Sequence, residues 1–212
     1  MNEVQPIRDP EMLERCYQIA QAHDKQRGKR EACWELILLI GFNTSLRVSD
    51  FRRFRVSDLR GRDRAIIRAK KTGKEARVLI SPRVRREINR LLAGRKPDEY
   101  IFQSRQKNAV THQYEPLTRQ RVYQIINTVA RQAGIHERIG CHTLRKTFGY
   151  HYYQKTGDVV SLQRILCHSF QRETLVYIGV VEDDINKSLM DFALVGKRKG
   201  SREAEAPRNE EE

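Results

Sequence analysis

The sequence predicts an α+β fold that is mainly α-helical, a compact helical domain with a small antiparallel β-sheet or hairpin. Three observations predict it. Apolar residues recur at helical spacing through most of the chain, two short β-rich runs flank one glycine-containing polar turn, and no internal repeat or Pro-rich linker interrupts the 212 residues. A chain of this length holds one domain or two small ones, and 39% apolar residues suffice for an ordinary core. Collagen-like, coiled-coil and wholly disordered organisations are excluded.

After a polar lead over residues 1–7, Asp9 reads as an N-cap with Pro10 at the first helical position. Met12, Leu13, Cys16, Ile19 and Ala20 then follow at helical spacing until Gly28. Residues 31–42 are apolar on every side, which predicts a buried central helix. It ends in the polar turn Asn43-Thr44-Ser45, and Ser49 is a good N-cap for a short third helix. At Ala65 the period changes. Residues 65–69 and 76–80 flank Lys70-Lys71-Thr72-Gly73-Lys74-Glu75, predicting a hairpin with three lysines at its tip.

Ser81-Pro82 opens the next helix, with Val84, Ile88, Leu91 and Leu92 on one face and Gly94 at its end. A short extended piece over residues 100–102 precedes a polar loop over 103–116. Residues 118–133 form a helix with Val122, Ile125, Ile126, Val129 and Ala130 facing the core and Gly134 as its stop. Further helices are expected over 143–155, 158–167, 173–178 and 184–195. The domain therefore spans residues 8–195, and 196–212 are expected to be a disordered charged tail.

Charge narrows the function. The formal charge is +14, but residues 200–212 carry two Arg and five Glu, so removing their −3 leaves +17 on residues 1–199. Twenty-nine of the 41 basic residues are Arg, whose planar fork suits bidentate phosphate contacts, and a nucleic acid is the expected partner. No apolar run reaches the roughly 20 residues of a membrane span, and the polar N-terminus has no signal-peptide pattern, so a cytoplasmic protein is expected. Cys16, Cys33, Cys141 and Cys167 are widely spaced without a C-x-x-C, which predicts reduced buried thiols rather than a disulfide framework or zinc site.

Neither a phosphate-binding glycine loop, nor H-E-x-x-H, nor a carboxylate cluster for paired Mg²⁺ is present. Chemistry on a phosphodiester would then need cationic side chains around the non-bridging oxygens, a nucleophile, and a proton donor for the leaving oxygen. Four segments supply candidates. They are Gly41-Phe42-Asn43-Thr44-Ser45-Leu46-Arg47-Val48-Ser49-Asp50, Lys70-Lys71-Thr72-Gly73-Lys74, His142-Thr143-Leu144-Arg145-Lys146-Thr147, and Cys167-His168-Ser169 with Tyr177 nine residues after His168. Arg47 follows an apolar helix at a polar turn, where the helix anchors a guanidinium that can reach a phosphate. His142 and Arg145 are three apart at a helix start and share a face.

In this order the motifs resemble the catalytic domain of the tyrosine recombinase (phage integrase) family, over about residues 6–195. The resemblance implies that fold and assigns Arg47 and Arg145 to the phosphate. It makes Lys71, which directly precedes Thr72-Gly73 as in the family's K-T-G versions, the general acid for the leaving 5′ oxygen, with Lys70 and Lys74 as competitors, His142 and His168 hydrogen-bonding or proton-accepting partners, and Tyr177 the nucleophile. A free phenol has a pKa of about 10, so Tyr177 needs these neighbours to favour the phenolate. Asp50 matches an acidic position of the family and reads as a structural or helix-start carboxylate. Tyr150, Tyr152 and Tyr153 read as packing residues.

The implied activity is site-specific recombination or integration of double-stranded DNA through a 3′-phosphotyrosyl intermediate, without metal, cofactor or ATP. Implied too is a bacterial, phage or mobile-element source, and a homotetramer on DNA joined through the helix at residues 184–195, which Asp183-Asp184 would cap; in the free protein, packing of that helix on its own chain is the alternative. Two other activities share these features: a DNA-binding regulator with little strand exchange, and topoisomerase IB-like relaxation. Two departures from the family stand out. Cys167 replaces the usual Gly before His168, which would strain a positive-φ position, and few residues precede the catalytic-like region, so it reads as a minimal recombinase or an excised domain.

Overall fold

The computed structural model describes residues 4–27, 34–68 and 75–180. Lys71, at the tip of the expected hairpin, lies outside the described residues, as do the expected helix over 184–195 and the tail over 196–212. Helix α1 (Pro10–Arg27) begins where Asp9 Oδ1 accepts from the Glu11 amide at 2.8 Å, as its cap pattern predicts. Helix α2 (Trp34–Asn43) is buried from Trp34 to Gly41, so its one carboxylate must be satisfied inside the fold. Glu35 Oε1 accepts from Tyr17 Oη at 2.8 Å, Gln21 Nε2 at 3.0 Å and Arg90 Nη2 at 2.7 Å.

Helix α3 (Val48–Phe51) corrects one expectation. Arg47 is its N-cap, in extended backbone and without a side-chain cap bond, while Ser49 lies inside the helix and donates to Asp50 Oδ1 at 3.3 Å. The apolar neighbours decide this register: Leu46, Val48 and Phe51 are all buried, which turns the Arg47 side chain outward. A further short helix, α4 (Val56–Leu59), was not expected from the sequence; four residues are too few for periodicity to reveal. Strands β1 (Arg64–Arg68) and β2 (Glu75–Leu79) pair antiparallel, Arg64 opposite Leu79, each starting one residue earlier than expected.

Helix α5 (Pro82–Leu91) starts at Ser81, whose Oγ accepts from the Val84 amide at 3.4 Å. Residues 103–116, expected to be a loop, contain a second antiparallel pair, β3 (Gln103–Lys107) and β4 (Tyr114–Pro116). Gln106, Lys107, Tyr114 and Glu115 are exposed, so no apolar alternation marks these strands. Asn108 makes the turn instead, its Oδ1 accepting from the amides of Val110 and Thr111 and its Nδ2 donating to Glu115. The extended piece expected over 100–102 reduces to a bridge between Tyr100 and Arg55.

Helix α6 (Arg119–Ala133) is capped by Thr118 and stopped by Gly134 in the left-handed region. Helix α7 (Cys141–Thr156) starts two residues before the expected position, and Thr143 Oγ1 accepts from the Gly140 amide at 3.1 Å. Helix α8 (Val159–Leu166) is capped by Asp158, and α9 (Gln171–Ile178) follows a short turn.

Two glycines let these helices approach closely. A Cβ on Gly41 of α2 would sit 2.5 Å from Leu144 Cδ1 of α7, and one on Gly149 of α7 would sit 2.7 Å from Ile178 Cγ2 of α9. The apolar residues form two clusters. The larger contains α2 and its neighbours, and a smaller one is built on Leu162, Leu166 and Ile178 with Phe148, Tyr150, Tyr152 and Tyr153 packed around it. Those three tyrosines pack as the sequence implies.

Of the described cysteines Cys16 is buried and Cys141 half-buried, while Cys167 is exposed, against the expectation of buried thiols. Among the described residues no helix is long and apolar enough to cross a membrane.

Candidate active site

Arg145 organises the site. It lies in the first turns of α7 and is 6% exposed, so its guanidinium must find partners inside the protein. Nη1 donates to the Ser45 carbonyl and Nη2 to the Leu166 carbonyl at 2.7 Å. One side chain therefore ties the turn before α3 to the end of α8. Those two turns carry Arg47 and His168.

Arg47 is exposed, while Leu46 and Val48 on either side are 2% and 4% exposed. Burial and the nearby Arg47 charge both push the Arg145 guanidinium below its ordinary pKa. Two cations held so close repel each other, and an anion between them would remove that repulsion.

Tyr177, half-buried on α9, stands between two imidazoles. Its Oη is 3.5 Å from His142 Nδ1, a long contact, and its ring meets that of His168 edge-on with centroids 5.0 Å apart. Both imidazoles have lowered pKa values. For His142 burial is the largest cause, followed by the charges of Arg119, Arg47, Arg145 and Lys146. For His168 burial again leads, opposed by Glu173 and reinforced by Arg145 and Arg47. Both rings are thus poised neutral at pH 7, able to accept a proton.

His168 is oriented by a residue that carries no motif. Thr174, fully buried, donates through Oγ1 to the Phe170 carbonyl at 3.4 Å, so its oxygen is left to accept from His168 Nδ1 at 3.1 Å. That arrangement puts the imidazole proton on Nδ1 and leaves Nε2 as the acceptor. Cys167, which closes α8, has φ 52° and ψ 43°, a left-handed conformation that the family's usual glycine adopts without strain.

Five of the six residues singled out from the sequence, Arg47, His142, Arg145, His168 and Tyr177, come together here. Lys71 lies outside the described residues. Missed by sequence reasoning were Thr174 and Lys146; the latter is 3% exposed, with Nζ 5.2 Å from the Tyr177 ring centroid. A groove of about 610 Å³, basic on balance, opens beside α3 and α6, lined by Arg52, Arg53, Arg55 and Arg119 against the carboxylates of Asp58 and Glu115. Among the described residues no group of three or more His, Cys, Asp or Glu is placed to hold a metal ion.

Residues 9–183 match the model of the phage integrase family. The chain is 37% identical to the probable integrase/recombinase YoeC of Bacillus subtilis (strain 168), over 86% of this chain and 93% of that protein. Its fold resembles that of the XerH site-specific recombinase bound to palindromic difH substrate in a post-cleavage complex (TM-score 0.65, 20% identity), covering 90% of this chain and 54% of that one. It also resembles the catalytic domain of bacteriophage HP1 integrase (TM-score 0.56, 18% identity), covering 91% of this chain and 97% of that domain. The chain thus spans nearly all of an isolated catalytic domain but about half of the XerH chain.

Proposed function

The chain belongs to the phage integrase family, and from that premise we propose that it is a site-specific DNA recombinase in which Tyr177 cleaves and rejoins one strand at a time. Residues 8–195 act as the catalytic domain. Arg47 and Arg145 bind the non-bridging oxygens of the scissile phosphate, which neutralises their mutual repulsion. Tyr177 Oη attacks phosphorus, its proton passing to His142 Nδ1, the imidazole nitrogen 3.5 Å from it. The bond from phosphorus to the 5′ oxygen breaks, and Lys71 protonates that oxygen. The product is a 3′-phosphotyrosyl link with a free 5′-hydroxyl.

Attack by a partner strand's 5′-hydroxyl reverses the same steps and reseals the DNA. The phosphodiester's energy is kept in the covalent link, so no ATP is required, and Arg47 and Arg145 supply the charge stabilisation that a metal ion would otherwise give. Double-stranded DNA is the substrate, in the cytoplasm of a bacterial host, and its backbone lies along the arginines of the α3–α6 groove. Four copies assemble on DNA, the segment over residues 184–195 of each docking on its neighbour.

One observation carries this reading: the Tyr177 hydroxyl stands against His142 while its ring meets His168, beside a buried Arg145. The test is incubation with nicked suicide duplexes of candidate sites, scored for a denaturation-resistant protein–DNA adduct. An adduct is expected from the wild type and none from Tyr177→Phe. An adduct that survives Tyr177→Phe rejects the nucleophile, and relaxation of supercoils without exchange between sites assigns a topoisomerase-like activity instead.

A further inference from the structure

Lys146 follows Arg145 in α7 and is 3% exposed, an ammonium held inside the protein. Its Nζ lies over the ring of Tyr177, 5.2 Å from the centroid. A cation over an aromatic face is attracted by the ring's electron density. When a phenol loses its proton, the negative charge spreads from Oη into the ring, so the attraction is greater for the phenolate than for the phenol.

Other charged groups among the described residues bear on the same equilibrium, among them Arg119 of α6, which acts on His142. Helix α7 also presents His142, at 3.5 Å from Oη, and Arg145. The turn before α3 presents Arg47, with Asp50 behind it acting on Arg145. The α8–α9 turn presents His168, and α9 itself carries Glu173, among the described residues the one acidic group acting on His168. When substrate is bound, the phosphate engages the two arginines, and part of their pull on the phenolate is lost. Lys146 is placed against the ring of the nucleophile itself.

We propose that Lys146 is a positioning residue for the nucleophile, fixing the ring of Tyr177 and favouring its phenolate. The inference rests on the nucleophile assignment above. Lys146 forms no bond and gives up no proton; the phenolic proton still leaves for His142, and the leaving 5′ oxygen is still protonated by Lys71.

The experiment is single-turnover adduct formation on a nicked suicide duplex, from about pH 6 to about pH 10, by wild type, Lys146→Met, Lys146→Gln, Lys146→Arg and Tyr177→Phe. Removing a cation at this distance is expected to move the midpoint of the pH–rate profile upward by about one to two units. Lys146→Met and Lys146→Gln are then about 10- to 100-fold slow at pH 7 and approach the wild-type rate at high pH. Lys146→Arg restores the wild-type midpoint.

A rate lowered equally at all pH values, or a profile that does not move in either neutral variant, overturns the proposal. So does rescue of Lys146→Met by a substrate with a 5′-bridging sulfur, because a thiolate leaves without a proton and rescue would make Lys146 the general acid. Failure of the wild type to form any Tyr177-dependent adduct rejects the nucleophile assignment instead. Should both neutral variants fail to fold, a wild-type midpoint and rate in folded Lys146→Arg support a role for the charge, and a shifted midpoint or a rate lowered equally at all pH values in it overturns that role.

Discussion

Arg47 leaves its guanidinium in solvent while Arg145 engages two carbonyls, so substitutions at the two positions should separate activity from stability. Arg47→Ala is expected to slow adduct formation by about 10² to 10³, the scale of losing one preorganised donor, with an unchanged unfolding midpoint. Arg145→Ala should lose as much activity and in addition about 1 to 3 kcal/mol of stability, because the Ser45 and Leu166 carbonyls lose their donors inside the protein. Denaturant unfolding of both variants checks this, and an equally stable Arg145→Ala would deny it the tie between the two turns. At Cys167, φ 52° favours glycine, and Cys167→Gly should stabilise the chain by about 0.5 to 1 kcal/mol in the same measurement.

The lowered pKa values of His142 and His168 also have a sign. The unfolded chain binds protons at these residues near pH 6.5 while the folded chain resists them. Their contribution to stability is therefore present above pH 6.5 and lost as the pH falls from there through the lowered folded values. Replacing both by glutamine should flatten the dependence of stability on pH between about 5 and 7. Arg47, His142, Arg145, His168 and Tyr177 were legible in the sequence because their order and spacing form motifs. Thr174 and Lys146 were not, because a hydroxyl that orients a ring and an ammonium over a ring face act through tertiary contacts that no spacing encodes.

Among the elements, α7 carries His142, Arg145 and Lys146, and α9 carries Tyr177, so their separation sets the geometry of the pocket. Gly149 allows their close approach, and Ile178, the residue it meets, is the neighbour of Tyr177. Gly149→Ala should push α9 away from α7. We expect adduct formation to fall at least about tenfold, since small misplacements of reacting groups are costly, while Gly134→Ala, whose Cβ meets nothing within 4 Å, should affect stability alone. Equal effects of the two on the rate of adduct formation would reject this account. The helices with an apolar stripe and a cap were readable in advance, α5 and α6 most clearly. The β3–β4 pair was not, since its polar, exposed strands are held by the turn at Asn108 rather than by a buried face.

For the whole molecule, the +17 on residues 1–199 far exceeds what one phosphate pocket needs. Most of it should serve the duplex backbone, and a chain contacting about six to ten phosphates should lose about 10³- to 10⁵-fold in affinity between 50 and 200 mM salt. A binding isotherm series in salt checks this, and an insensitive affinity would remove the backbone from the account.

The division of the apolar residues into two clusters has its own consequence. The basic groove belongs to elements of the larger cluster, whereas Tyr177 is packed on the smaller, and segments with fewer buried contacts open at lower free energy than the whole. Heating should therefore silence cleavage before it releases the duplex. Between those two temperatures the protein would occupy DNA without cutting it, an idle state set by the depth of a few side chains beneath one helix.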